Sequence, residues 1–274
     1  MRGLLSSIIL GLERELRWTY PPLAVAIGVI PITASILTAV MVFWIGSGSA
    51  GNTSSYWISY IIVGAALYAH FSSYIWAPLS AVTEGKATYT FPYVYIAGST
   101  ITYIVGRTIA AFIESSLTAL ASLVAASYAV RGLLGVDLMI MSGATSLALF
   151  TLSTAIGMFA AIGLGLLLAA YGIFVTRLEW GLPIYIAGLL MIFTEALFPS
   201  SSLPWPLPLV SEAMPFTHII RAARAALIGP QESYPLFAAQ AFATGIAWLV
   251  SGIAVYKLAE ERGRRKGYID QRIV

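Results

Sequence analysis

The chain has 274 residues, of which 59% are hydrophobic and only 10% charged, with a net charge of +3 and no cysteine. Soluble domains carry about a quarter charged residues, so this composition excludes an ordinary water-soluble fold, and the absent thiols exclude disulfides, thiolate catalysis and cysteine metal sites. Several continuous apolar runs reach the ~20 residues that cross a bilayer as helix, whereas a membrane β-barrel shows short alternating segments. The expected fold class is therefore an all-α polytopic membrane protein, one transmembrane domain over residues 1–274.

The first predicted element is an interfacial helix over 4–18. Leu4, Leu5, Ile8, Ile9, Leu12 and Leu16 share one face of a helical wheel, with Arg2, Ser6, Glu13 and Arg17 off it, a pattern that lies in the membrane interface with its apolar face in lipid. Glu13, Arg14, Glu15 and Arg17, without a small-residue cleavage motif, distinguish this segment from a cleaved signal. Pro21-Pro22 then turns the chain into the first of six predicted spans, 22–46, 56–79, 101–129, 138–172, 181–198 and 236–258. The third and fourth exceed a bilayer thickness and are expected to tilt, kink or project into water.

Between the first two spans, 47–55 is a short polar loop in which Asn52-Thr53-Ser54 matches a glycosylation acceptor. Tyr56, Trp57 and Tyr60 follow as interface anchors. The loop over 80–107 mixes Glu84 and Lys86 with several aromatic residues, which suits either a docking surface for a soluble partner or a plain connector. In the fourth span Gly157, Ala161 and Gly165 recur every four residues, a close-packing signature.

After the fifth span the chain reads Phe198-Pro199, Leu203-Pro204-Trp205 and Met214-Pro215-Phe216-Thr217, then Arg221 and Arg224. This proline-punctuated stretch, 199–235, predicts short external re-entrant helices, and 259–274 is a basic tail. With the N-terminus inside, the inner segments hold Arg2, Arg14, Arg17, Lys86, Arg107, Arg177, Lys257, Arg262, Arg264, Arg265, Lys266 and Arg272. The outer ones hold only Arg131, Arg221 and Arg224. The positive-inside bias therefore predicts that both termini are cytoplasmic.

No constellation in the chain suggests catalysis. There is no Gly-x-x-x-x-Gly-Lys-Ser/Thr phosphate loop and no His-Glu-x-x-His, so no catalytic, cofactor-binding or metal-binding residue is assigned, and no nucleic acid is expected as partner. His70 is expected to find a hydrogen bond inside the bundle and His218 to face water at the outer mouth. Glu114 and Glu195 are carboxylates set in apolar sequence, to be paired, protonated or turned to a polar cavity. Arg221 and Arg224 are candidate partners for Glu195 or Glu212.

Taken together, these segments resemble the membrane-spanning subunit of type 2 ABC exporters. In that family the loop after span two begins near a Glu-Arg-x-x-Gly-Thr-Leu-Glu pattern and enters span three at Gly-Lys or Gly-Arg. This chain has Glu84 at the start and Gly106-Arg107 at the end, with Gly85 replacing the Arg and Thr88-Tyr89-Thr90-Phe91 in place of Gly-Thr-Leu-Glu. The family closes span five with a Phe-Pro turn, a Leu-Pro and an Asn/Met-Pro-x-Thr before an Arg-bearing helix. Phe198-Pro199, Leu203-Pro204, Met214-Pro215-Phe216-Thr217, Arg221 and Arg224 keep that order, and Thr194-Glu195 stands where a Ser-Gly is common.

The resemblance implies a permease of the plasma membrane working with two separate ATPase subunits, which bind ATP and Mg, and with a second permease copy as a homodimer. It implies a coupling helix at 84–96, with Glu84, Lys86, Thr88, Tyr89, Phe91 and Tyr93 as ATPase-coupling residues. It places the substrate path between the second and fifth spans at the dimer interface, with Tyr68, Phe71, Met191 and Phe193 as lining candidates. The external gate candidates are Phe198, Pro199, Arg221 and Arg224, and the expected substrate is amphipathic or lipophilic: a drug, a lipid or a glycan carrier. The competing expectation is an ion- or proton-coupled secondary transporter with Glu114 and Glu195 as coupling sites.

Overall fold

In the computed structural model, which describes residues 2–17, 21–49, 54–88, 90–141, 143–175 and 181–268, every regular element is a helix. Tyr89, Asn52, Thr53, Arg177 and Arg272 lie outside the described residues.

Helix α1 (Arg2–Arg17) leads into α2 (Pro21–Ser49). The amphipathic pattern does produce α1, but its inner side is a small-residue stripe. A Cβ on Gly106 would sit 2.4 Å from Ser7 Cβ, and one on Gly11 would sit 2.6 Å from Ala110 Cβ. Two small-residue pairs thus let α1 press directly on α6 (Thr100–Leu134), while Leu5, Ile9 and Leu10 point outward. The helix is held by protein on one side and is free to meet lipid on the other.

The second predicted span does not stop at 79. α3 (Ser55–Tyr74) continues through a turn at Ile75 into α4 (Trp76–Ala87), an apolar stretch of 33 residues. Pro78 has no N–H to give the Tyr74 carbonyl, which accounts for the break. The extension persists because Ala81, Val82, Thr83 and Lys86 are buried against α7 (Ala144–Phe174). Thr88 ends α4, and Pro92 in the first turn starts a separate helix, α5 (Phe91–Ala97). The coupling segment predicted as one helix over 84–96 is therefore the last turn of α4 plus a short α5.

The fourth span begins later than predicted. Residues 135–141 carry no regular structure, and the Met139 and Met141 amides donate to Ser59 Oγ (2.9 Å) and the Leu227 carbonyl (2.7 Å). Outside partners hold this backbone in place of a helix. α8 (Gly181–Phe193) is shorter than the predicted 181–198. Its 13 residues rise ~20 Å, short of a ~30 Å hydrocarbon core. It ends because Glu195 adopts φ 60°, a left-handed conformation that a helix cannot continue.

A 3₁₀ turn (Ser200–Ser202), α9 (Leu207–Ala213) and α10 (Thr217–Leu227) lead to α11 (Tyr234–Arg265). Every residue of α10 except Arg221 is buried, so this helix lies within the bundle. Three contacts give its depth. Phe216 stacks on Phe71 with centroids 4.1 Å apart, Trp248 Nε1 donates to the Ala213 carbonyl at 3.0 Å, and Gly157 leaves room for Ile219. All three lie about 20 Å along α3, α11 and α7 from the end of the molecule at which Leu227 lies, at ~1.5 Å rise per residue.

Among the described residues, five helical stretches are long and apolar enough to cross a membrane, α3–α4 counting as one, and α8 is a shorter apolar helix. Most described cations, including Arg14, Lys86, Arg107, Lys257 and Arg262, gather at the end carrying α1, here the basic end. The opposite, far end carries the 135–141 segment and the outer end of α10. The tightest crossing joins α7 to α11: a Cβ on Gly252 would meet the Gly163 carbonyl oxygen at 2.2 Å, and one on Gly163 the Trp248 backbone at 2.4 Å. Gly157 and Gly165 of the predicted stripe face Ile219 and Pro78 instead.

Candidate functional site

The turn after α8 organises the far end. With Glu195 in the left-handed region, its carboxylate swings back to the chain that follows. Oε1 accepts the Ser200 amide (2.9 Å) and Arg221 Nη2 (2.7 Å), and Oε2 accepts Arg221 Nε (3.0 Å). The other side of the same guanidinium reaches Glu212, with Nη1 donating to Oε2 at 3.0 Å. Burial alone would raise Glu195, but the bonds from Arg221 and Ser200 outweigh it and hold the carboxyl below its ordinary value. Burial alone would lower Arg221, and the two carboxylates overcome it and hold that group above its ordinary value. The expected Glu195–Arg221 pairing is present.

Arg224, one turn on, is not at the surface. Its guanidinium carbon lies 3.3 Å from the Tyr60 ring centroid, and it donates to the Tyr60 carbonyl (3.2 Å from Nε, 3.1 Å from Nη2) and the Ala196 carbonyl (2.8 Å from Nη2). Gly64 makes room for it: a Cβ there would fall 1.9 Å from Ala196 O and 2.1 Å from Arg224 Nη2. Burial pulls Arg224 down to about 10, which leaves it charged at neutral pH. Arg224 is thus an internal clamp tying α3, α10 and the 194–199 turn. Tyr60, expected as an interface anchor, is buried beneath it, while Tyr56 and Trp57 remain exposed. His218, expected to face water, is 4% exposed because α10 is interior, and its Nε2 lies 3.1 Å from the Glu212 carbonyl. Of the gate candidates, Phe198 is at the surface, Pro199 is half-buried and Arg221 is held in the network.

The path candidates separate into two environments. Phe71 is interior, stacked on Phe216 beside Tyr74 and His70. His70 is fully buried against Phe112, with Ser116 Oγ 3.5 Å from Nε2. The Phe193 carbonyl accepts the Ser211 hydroxyl, with Thr217 Oγ1 at 3.1 Å. Tyr68 and Met191 line an open cleft of about 340 Å³ between α2, α3 and α8, with Ser35, Ser72 and Leu197. It continues past Thr38 and Phe43 into a further space of about 600 Å³. Glu114 is elsewhere, on α6, accepting Thr118 Oγ1 at 3.2 Å near Gly28 of α2.

At the basic end, Glu84 pairs with Arg14 and so ties α4 to α1. Lys86 is only 2% exposed, with Nζ donating to the carbonyls of Ile173 (2.8 Å) and Val175 (3.3 Å). It caps the C-terminus of α7, where a cation is favoured, and is not a docking residue. Phe91 is also interior, its Cβ 3.0 Å from where a Cβ on Gly85 would lie. Thr88 is exposed, and Tyr93 projects at 71% exposure. Ile96, which is not among the expected coupling residues, projects further, at 81%. In a short aromatic stretch no wheel separates inward from outward residues until the helix start is known.

No protein-family model matches this chain, and the search of curated proteins found no significant match.

Proposed function

We propose that the chain is the permease subunit of an ATP-driven exporter of the type 2 ABC kind, drawing its energy from separate ATPase subunits that bind ATP and Mg. The supporting observation is α5. It presents two large apolar side chains, Tyr93 and Ile96, outward at the basic end, which on this reading is the cytoplasmic face. Exposed aromatic and aliphatic residues of this kind anchor protein interfaces.

The route inward from α5 is short. Phe91 packs on Gly85 of α4, Lys86 of α4 holds the end of α7, and Glu84 holds Arg14 of α1, which presses on α6. A displacement of α5 reaches four of the long or interfacial helices through packed contacts, which switch between discrete arrangements instead of deforming gradually. ATP supplies energy by binding one arrangement of the assembly better than another. A second copy, as a homodimer in the plasma membrane, would cover the apolar α2 and α8 faces, where Ile30, Val42, Ile45, Ile184 and Tyr185 are exposed around the cleft. The substrate path then runs along Tyr68 and Met191, with an amphipathic or lipophilic cargo.

The secondary-carrier reading needs a carboxylate that exchanges its ion. Glu195 already accepts three bonds and is held below its ordinary pKa, which disfavours proton exchange near neutral pH. The test is purification of the full chain from its native membrane in mild detergent, with ATP hydrolysis measured in the eluate. Hydrolysis should co-elute with the chain and be lost in Tyr93→Asp. Vanishing export in Glu114→Gln or Glu195→Gln, with ATPase binding intact and the fold unchanged, would favour the carrier.

A further inference from the structure

The α2–α3–α8 cleft has a distinctive polar inventory. Its hydroxyls donate back into their own helices: Ser35 Oγ to the Pro31 carbonyl (2.9 Å), Ser72 Oγ to Ala69 (3.0 Å), Ser73 Oγ to Ala69 (2.7 Å) and Thr38 Oγ1 to Ala34 (2.8 Å). Each hydroxyl has one proton and two lone pairs, so once the proton is committed the oxygen faces the cleft as an acceptor. Tyr68 is the exception: its hydroxyl makes no hydrogen bond with the described residues and remains a donor.

Among the described residues, no charged side chain lines either part of the cleft. The nearby cations are engaged elsewhere, Arg221 by Glu195 and Glu212 and Arg224 by the Tyr60 and Ala196 carbonyls. A phosphate or carboxylate here would meet a single donor, Tyr68, among acceptor oxygens, and no counter-cation. An ammonium would meet no carboxylate, and an uncompensated charge at membrane depth is costly. What fits is a neutral group rich in its own O–H donors. Beyond the hydroxyl edge the wall turns apolar through Val42, Phe43, Ile61 and Leu197, where an acyl or prenyl tail can lie. The inner volume of about 340 Å³ is at the small end of ligand pockets (~300–1,000 Å³).

We propose that this cleft binds an amphiphile with an uncharged, hydroxyl-rich headgroup, a neutral glycolipid in chemical class, with the headgroup on Tyr68, Ser35, Ser72 and Ser73. The inference rests on the reading of the cleft as the cargo path and adds the selection against anionic and zwitterionic heads.

The test uses the full-length chain in nanodiscs containing diacylglycerol lipids with identical diazirine-bearing acyl chains. The headgroup is glucosyl, phosphoglycerol or choline phosphate, and adducts are mapped to peptides after illumination. Glucosyl-lipid adducts on residues 31–43 and 61–73 should exceed phosphoglycerol adducts by about tenfold, the loss of two or three neutral hydrogen bonds being of that order. Tyr68→Phe with Ser72→Ala and Ser73→Ala should abolish that preference while leaving adducts on the outward face at 113–124 unchanged. Adducts within the cleft showing equal or greater yield for a charged headgroup overturn the neutral-headgroup inference and leave the path reading standing. Adducts no denser in the cleft than at 113–124, for all three lipids, overturn both. If the variant fails to fold, the headgroup comparison on the unaltered chain still decides.

Discussion

Replacement of Gly64 by Ala tests the far-end architecture because two physical effects predict opposite signs. Helix propensity favours Ala over Gly by ~1 kcal/mol within a helix such as α3. Against that, the new Cβ would lie 1.9 Å from the Ala196 carbonyl oxygen and 2.1 Å from Arg224 Nη2, two atoms bonded to each other at 2.8 Å. One of them is backbone and the other is the working end of a clamp, so neither moves without breaking that bond. Overpacking costs ~1–3 kcal/mol, and a lost hydrogen bond to a charged group ~1.5–3 kcal/mol. The net expectation is destabilisation by about 2–5 kcal/mol. Gly188→Ala on α8 is the matched control, because a Cβ there meets nothing within 4 Å and propensity alone should act. Equilibrium unfolding of the purified protein in mixed micelles, followed by circular dichroism, measures both. The Arg224→Ala change should cost less in the Gly64→Ala background than in the natural chain, since both remove the same contact. If Gly64→Ala is as stable as Gly188→Ala, the clamp geometry described here is wrong.

The Glu195–Arg221 pair predicts an acid dependence of known sign. Glu195 is depressed below its ordinary 4.5, so its contribution is fully present above that value and is lost as pH falls through the lower folded-state value. Unfolding midpoints measured down to about pH 3 should fall in the natural chain, and Glu195→Gln should remove that part of the slope. Lys86→Met should leave the Ile173 and Val175 carbonyls without their donor and destabilise by ~1–3 kcal/mol in the same unfolding assay. Gly252→Val should prevent α7 and α11 from closing, seen as loss of the folded peak in size-exclusion chromatography, whereas Gly132→Val, with nothing within 4 Å, should not.

The all-helical class, the presence of several membrane-length apolar helices and the amphipathic first helix were legible in the sequence because they depend on hydropathy and period alone. The Gly163–Gly252 crossing was not: each glycine is unremarkable in its own helix, and only the approach of the other makes it necessary. The recurring Gly157–Ala161–Gly165 stripe pointed to close packing, but the stripe meets α10, α4 and α6 instead of a single partner helix. The end of the fifth span was misplaced because Leu197 and Phe198 continue the apolar run, while helix ends at hydrogen bonds and φ, which Glu195 breaks. Arg221 and Arg224 are three residues apart and chemically identical, yet one lies in a carboxylate network and the other on backbone carbonyls beneath Tyr60. Which is which depends on the depth of α10, and no local pattern encodes depth. Lys86 and Phe91 were assigned outward for a similar reason: a charge and an aromatic near a loop suggest a surface until the C-terminus of α7 is seen to need a cap.

On the proposed function, the basic end of this chain receives force from another polypeptide through α5. A photoreactive benzoylphenylalanine at Tyr93, illuminated in the native membrane and analysed by mass spectrometry, tests it directly. The account predicts a single dominant adduct to a protein carrying a nucleotide-binding phosphate loop, with a yield that changes when ATP is added. A Tyr93 probe that labels only lipid, or only this chain, in membranes where export is active would contradict it.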